Sequence, residues 1–334
     1  MRVNAKPGQA TMLSEFDIIA SCFNQPGLAA EPGDIVRLGI GDDCALMSIP
    51  AGKELAVSMD TLVEDVHFPA DAPAHLLGYR ALAVNLSDLA AMGAQPAGFT
   101  LALTMPRADA DWLQGFSQGL KECANQFGCF LMGGNTARGP LNLTLQVHGL
   151  VTSGQAITRS GAVPGDSIYV SGNLGRPALA IRQLLDSEAD PKEKDQWELA
   201  FYKPVPRLAL GSGVSGIASA GLDISDGLLA DLGHICEMSK VGAQVDMASV
   251  PVAPELVARL PVDEALALAL TGGEDYELVL TVSPDREQEL LEQAGMLDVP
   301  LHRIGSITAG DGVICLDAQG DPVTFSSEGW RHFD

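Results

Sequence analysis

Basic residues, aromatic residues and paired cysteines are all scarce in this 334-residue sequence. Only 20 lysines and arginines stand against 43 aspartates and glutamates, and the formal net charge of -23 repels nucleic acid and anionic lipid over most of the surface. Nucleic-acid binding is therefore disfavoured. The same surplus repels a phosphorylated ligand, so any such ligand must arrive with cations or meet a local basic spot. The six cysteines (Cys22, Cys44, Cys123, Cys129, Cys236 and Cys315) form no C-x-x-C pair and have apolar neighbours, which points to reduced core thiols in a cytoplasmic protein. No apolar run reaches the roughly 18 residues of a transmembrane helix, and MRVNAKPGQATM lacks the apolar centre of a signal peptide. We therefore expect a chain that is neither exported nor membrane-spanning, with residues 1–12 a disordered extension.

Several catalytic signatures are missing as well. There is no G-x-x-x-x-G-K-[ST], no G-x-G-x-x-G leading into a helix, and no H-R-D or D-F-G element, so a nucleotide site must belong to a less common fold. No serine sits in G-x-S-x-G and no Cys/His or Ser/His/Asp set is legible, which leaves covalent catalysis without a candidate. Neither a solenoid repeat nor a low-complexity tract occurs.

What remains is a 46% hydrophobic, aliphatic-rich chain long enough for two domains. Helical spacing begins at Leu13 and runs to Asn24, after which GDIVRLGI extends into the turn GDDCAL. KELAVSMDTLVED reads as a strand with Asp60 at its end, and AHLLGYRALAVNLSDLAAMGA as a helix that stops at Gly93. AGFTLALTMP, CFLMGGNT and LNLTLQVHGLV read as strands, and residues 109–127 as a helix. Beyond ITRSGAVPGDSIYVSG, helices resume around a solvated charged loop at 186–196. AGLDISDGLLADLGHICEMSK gives a short strand, a turn and a helix from near Gly227, and ALTGGEDYELVLTV passes from helix through a glycine turn into a strand. In SPDREQELLEQAG, Ser283 is expected to cap a helix that Pro284 opens. We place a boundary near 150–155, between an α/β unit (13–152) and an α+β unit (153–334).

Four acidic sites stand out: Asp42 and Asp43 in GIGDD, Asp60 in SMDT, Asp88 in NLSDLAAMGA, and Asp223 and Asp226 in DISDG. All but Asp88 read as lying where an apolar segment meets a turn, a position that is also ordinary turn chemistry. Carboxylates gathered together repel one another unless cations neutralise them, and oxygen donors suit Mg²⁺, which binds through a few carboxylates plus substrate phosphates. Asp88 falls inside a helix, where Asp is a poor former, amid Leu86, Leu89 and Ala90. DISDG lacks the further ligand positions of a calcium loop. In LMGGNTARG, Gly133 and Gly134 after a strand let backbone N–H groups approach an anion, and Arg159 in ITRSGAVPGD can hold a phosphate with its planar guanidinium. His67 follows the acidic strand, and Glu274 follows paired glycines at the mouth of another.

Taken in order, GIGDDCAL, SMDTLVEDVHF, ALAVNLSDLAAMGAQP, LMGGNTARGPL, TRSGAVPGD, LDISDGLLADLGHI and LTGGEDYELVLTV resemble the thiamine-monophosphate kinase family over nearly the whole chain from Leu13. Single pieces are shared with the wider aminoimidazole-ribonucleotide synthetase-like superfamily. The resemblance implies that superfamily's two-domain fold, α/β then α+β, with the N-terminal sheet pairing across a homodimer. It also implies ATP-dependent phosphorylation of thiamine monophosphate to thiamine diphosphate with several Mg²⁺ ions. Carried across motif by motif, it assigns Asp43, Ser58, the backbone of Met59, Asp60, Asp88, Asn135, Asp223 and Asp226 to the metals. Asp60, Asp88 and Asp223 are the ones on which turnover should depend most. Gly134, Asn135, Arg159 and Ser225 fall on the ATP side, and His67, Glu274 and Trp330 on the thiamine phosphate side. The family often has GGDT where this chain has GGNT, so the amide of Asn135 replaces a carboxylate ligand. The rival readings are another ATP-using synthetase of the superfamily, a metal-dependent phosphatase, and a non-catalytic metal or nucleotide sensor.

Overall fold

A computed structural model describes residues 14–325. Trp330 and the expected N-terminal extension lie outside the described residues. In the first half, helices α1 (Glu15–Ile18), α2 (Ala74–Ala91) and α3 (Ala110–Phe127) accompany strands β1 (Val36–Leu38), β2 (Leu46–Met47), β3 (Lys53–Val63), β4 (Gln95–Met105), β5 (Leu131–Arg138) and β6 (Asn142–Thr152). The remainder contributes strands β7 (Ser167–Ser171), β8 (Ala220–Asp223), β9 (Gly242–Asp246), β10 (Leu278–Val282), β11 (Leu301–Thr308), β12 (Gly312–Leu316) and β13 (Pro322–Val323). Its helices are α4 (Arg176–Leu185), α5 (Lys194–Tyr202), α6 (Leu208–Val214), α7 (Leu228–Ser239), α8 (Pro254–Arg259), α9 (Val262–Thr271) and α10 (Glu287–Met296).

Two sheets organise the chain. The first is four-stranded in the order β3-β6-β4-β5, antiparallel except for the parallel β4–β5 pair. The second is seven-stranded in the order β13-β12-β9-β11-β7-β10-β8. Helix α2 lies between them, packing on β3, β4 and β6 of the first sheet, on β8 of the second, and on α3, α5 and α6. Leu82, Leu86 and Leu89, the leucines that gave α2 its periodicity, are buried in the first sheet's core. Its C-terminal stop is at Gly93, where φ is 70° and the N–H donates to the Ala90 carbonyl oxygen at 3.0 Å.

Several expectations need correction. Asp60 is not at the end of its strand: the ladder to β6 continues through Thr61, Leu62 and Val63, pairing Val63 with Asn142. Gly133 and Gly134 lie within β5 rather than after a strand, because parallel pairing with β4 runs on to Met105 and Arg138. At Gly134, φ is 155° and a Cβ would stand 1.9 Å from the Leu101 carbonyl oxygen, so only glycine permits this approach. The Leu13–Asn24 helix is α1 followed by a π turn over Ile19–Phe23. The charged 186–196 stretch is a loop only in its first part, passing into a 3₁₀ turn at Pro191–Glu193 that Asp190 caps, and then into α5. Ser283 makes no side-chain capping bond, since a 3₁₀ turn at Pro284–Arg286 separates it from α10. Cys44 is exposed, unlike the other five cysteines, because it sits in the acidic turn rather than under a helix.

Candidate active site between the two sheets

Side chains two apart on a strand share a face, so Ser58 and Asp60 both point from β3 toward α2. There the Ser58 hydroxyl donates to the Asp88 carboxylate, and the Asp60 backbone N–H donates to Asn85 Oδ1 at 3.1 Å. Asn85 is fully buried and returns its amide to the Ala81 carbonyl oxygen at 2.9 Å, locking α2 to β3. Burial pushes the Asp60 carboxyl up to about 6, with the neighbouring Asp88 charge adding to the effect. Asp88 is raised by burial too, against the Ser58 hydrogen bond and the Arg159 charge, which favour its ionised form.

The second sheet adds Asp223, at the end of β8 and 5% exposed. Burial pushes its carboxyl up to about 7, and the Asp88 and Asp231 charges add to the shift. Asp60, Asp88 and Asp223 thus crowd together from three elements, each penalised for carrying charge.

Beyond Asp223, the DISDG turn is shaped by a residue that the sequence reading missed. One oxygen of Asp231, on the first turn of α7, accepts the backbone N–H groups of Ser225, Asp226 and Gly227 at 3.0, 3.0 and 3.1 Å. Burial, with the Asp226 charge second, pushes its carboxyl up to about 7. The available signal was an Asp between Ala230 and Leu232 in an apolar helical run, the same oddity that marked Asp88. The Arg159 loop is held similarly. The Ser239 hydroxyl accepts from the Gly161 and Ala162 N–H groups at 3.1 and 3.2 Å and donates to the Arg159 carbonyl oxygen at 2.9 Å.

The paired glycines of GGEDYEL bring another loop onto DISDG. The Glu274 N–H donates to the Ser225 carbonyl oxygen at 2.8 Å, and a Cβ on Gly273 would stand 2.4 Å from that same oxygen. Glu274 ion-pairs with Arg80, a buried residue of α2 that the sequence reading also missed. His67 lies in the turn after β3, where its Nδ1 accepts the Val63 N–H at 3.1 Å.

Not all the candidate residues meet. Asp42, Asp43, Gly134 and Asn135 line a cavity of about 840 Å³, together with Gln146, His148 and the apolar Phe16, Ile19 and Phe23. Across the sheet, Asp60 registers with Leu145, Leu101 and Gly134, whereas Asn135 registers with Ala102, Thr144 and Thr61. Asn135 therefore faces away from α2, and the width of the sheet, roughly 14 Å for three strand spacings, also separates it from Asp60. The Met59 side chain likewise projects from the far face, exposed with Leu55 and Val57.

Among the described residues, no three His, Cys, Asp or Glu side chains form a group that could by itself hold a metal ion. That disfavours a closed protein cage. Asp60, Asp88 and Asp223 are oxygen donors of the kind that a Mg²⁺-type cation takes one or two at a time, with phosphates and water completing its shell. No helix among the described residues is long and apolar enough to cross a membrane.

Comparison with known proteins agrees with this architecture. Residues 41–151 match the AIR synthase related protein, N-terminal domain, and residues 163–317 the corresponding C-terminal domain. The thiamine-monophosphate kinase of Escherichia coli strain K12 is 47% identical over 322 residues, covering 96% of this chain and 98% of the relative. The crystal structure of thiamine-monophosphate kinase from Stenotrophomonas maltophilia K279a superposes with a TM-score of 0.80 at 42% identity, covering 94% of this chain and 98% of that one. AaThiL complexed with AMPPCP and TMP superposes with a TM-score of 0.75 at 28% identity, covering 86% and 89%.

Proposed function

Because this chain belongs to the thiamine-monophosphate kinase family, we propose that it transfers the γ-phosphoryl group of ATP directly to thiamine monophosphate, giving thiamine diphosphate and ADP. The observation that carries this reading is Asp88, which accepts the Ser58 hydroxyl of β3 and lies within charge range of Asp60, of the buried Asp223 and of Arg159. A relative of the same fold holds AMPPCP and TMP together, which supports ATP and thiamine monophosphate as the two ligands.

The acceptor is a phosphate monoester whose second pKa is near about 6, so its oxygens are already ionised at neutral pH and no general base is required. The protein's task is to hold two mutually repelling anions in line and to stabilise charge at the moving phosphoryl group. Bound at the carboxylates, Mg²⁺ would supply that charge neutralisation. On this reading Ser58, the Met59 backbone, Asp60, Asp88, Asp223 and Asp226 are the metal donors that the family resemblance assigns, Arg159 and Ser225 hold ATP, and His67 and Glu274 the thiamine phosphate. Trp330 keeps its assignment to the substrate side as an expectation from the sequence.

Asp43, Gly134 and Asn135 complete this scheme through a second copy. They line the β5 edge of the sheet while Asp60 lies on the β3 edge, and Leu55, Val57 and Met59 form an exposed apolar row on the far face of β3. A homodimer that covers this row and sets the β3 edge against the β5 edge would remove the width of the sheet that separates Asn135 from Asp60 within one chain. The dimerising unit is residues 13–152, residues 153–334 form the second unit, and the enzyme works in the cytoplasm.

The test is incubation with ATP, Mg²⁺ and thiamine monophosphate. ADP and thiamine diphosphate should appear in equal amounts. Release of inorganic phosphate without thiamine diphosphate would favour the phosphatase reading instead.

A further inference from the structure

The ion pair behind Glu274 is not explained by the reaction itself. Arg80 lies eight residues before Asp88 on α2, and its side chain is 1% exposed. Besides pairing with Glu274, it donates from Nη1 to the Phe201 carbonyl oxygen at 2.7 Å, and the guanidinium carbon sits 4.0 Å from the centre of the Phe201 ring. The Tyr276 ring lies 5.7 Å away. The buried Arg80 Nε has no hydrogen-bond partner, so the group's placement is set by Phe201 and Glu274 rather than by its own full satisfaction.

Glu274 is constrained from the other side. It adopts φ 77°, and Tyr276 adopts φ 51°, two left-handed residues in one short loop that only strong surrounding contacts sustain. A carboxylate needed merely to neutralise Arg80 could sit deeper and unstrained, yet the Glu274 side chain stays 27% exposed beside Ser225. A guanidinium is a rigid fork that fixes the direction of a carboxylate, which a flexible ammonium does not.

We propose that Arg80 is a positioning residue for substrate recognition. It aims the Glu274 carboxylate at the amine-bearing, cationic ring portion of thiamine monophosphate. This rests on the reading of Glu274 as a substrate contact. Arg80 largely cancels the Glu274 charge, so the carboxylate selects by directed N–H acceptance more than by bulk attraction. The same helix then carries both substrate orientation, through Arg80, and the carboxylate cluster, through Asp88.

The test is a double-mutant cycle in the full-length enzyme, reading KM for thiamine monophosphate and for ATP separately. Glu274→Gln and Arg80→Met should each raise KM for thiamine monophosphate by about 10-fold or more, the scale of one hydrogen bond to a charged group, with KM for ATP within about twofold of wild type. Arg80→Met in the Glu274→Gln background should add less than about twofold, because the route through Glu274 is already removed. Arg80→Lys, which keeps the buried charge but not the fork, guards against misfolding of Arg80→Met and should still raise KM for thiamine monophosphate several-fold. If Glu274→Gln leaves that KM unchanged, the substrate-contact reading fails and the proposal with it. If Glu274→Gln raises it while the Arg80 effects are additive, or fall equally on ATP, the positioning role alone is overturned.

Discussion

Replacing Asp60 with Asn should make the metal-free enzyme more stable and nearly inactive. In the folded protein this carboxyl is pushed from 3.8 to about 6, so ionising it costs folding free energy. The sign follows from the raised value. The native state binds the proton more tightly than the unfolded chain does, so the associated stability is complete below about pH 4 and lost as pH rises through about 6. About two pKa units at 1.36 kcal/mol each set an upper bound of about 3 kcal/mol at pH 8. Asn keeps the shape without the charge, and for units of this size about 1–3 kcal/mol corresponds to a rise of roughly 3–8 °C in Tm. Thermal unfolding followed by circular dichroism without Mg²⁺ at pH 8 and pH 4 measures this directly. The gain should appear at pH 8 and vanish at pH 4, while turnover at pH 8 falls by at least about 100-fold, as for loss of one preorganised electrostatic element. A variant less stable than wild type at pH 8, or equally stabilised at both pH values, would refute the reasoning.

Asp231→Ala strips the shared acceptor from three backbone N–H groups and should cost about 2–4 kcal/mol in urea unfolding, with a raised KM for ATP because the Ser225 turn loosens. Asn135→Asp should lower the Mg²⁺ concentration for half-maximal rate; an unchanged Mg²⁺ dependence removes Asn135 from the metal positions. Val57→Lys puts a charge in the exposed apolar row of β3 and should shift the mass in light scattering from a dimer to the 34.9 kDa chain, with loss of turnover. Turnover retained by a monomer would show that one chain completes the site.

Local signals in the sequence located most of the elements, because helix spacing and strand alternation are written in adjacent residues. Asp88 was legible as a site residue since it stands amid Leu86, Leu89 and Ala90 in a helix, and the structure adds what holds it there, the Ser58 hydroxyl. Arg80 and Asp231 carried the same kind of signal, an isolated charge in an apolar helix, but their partners Glu274 and Ser225–Gly227 are set by loop packing that no local pattern encodes. The separation of Asn135 from Asp60 was out of reach for a related reason. It depends on register through four strands, in which a one-residue offset changes the face a side chain occupies.

The most direct measurement is the turnover of Asp88→Ala at saturating ATP, thiamine monophosphate and Mg²⁺. Asp88 accepts the Ser58 hydroxyl, and its charge acts on both Asp60 and Asp223, so it is the carboxylate common to the group. The account predicts thiamine diphosphate formation at least about 100-fold slower than wild type in a folded protein. A rate within about threefold of wild type would contradict it.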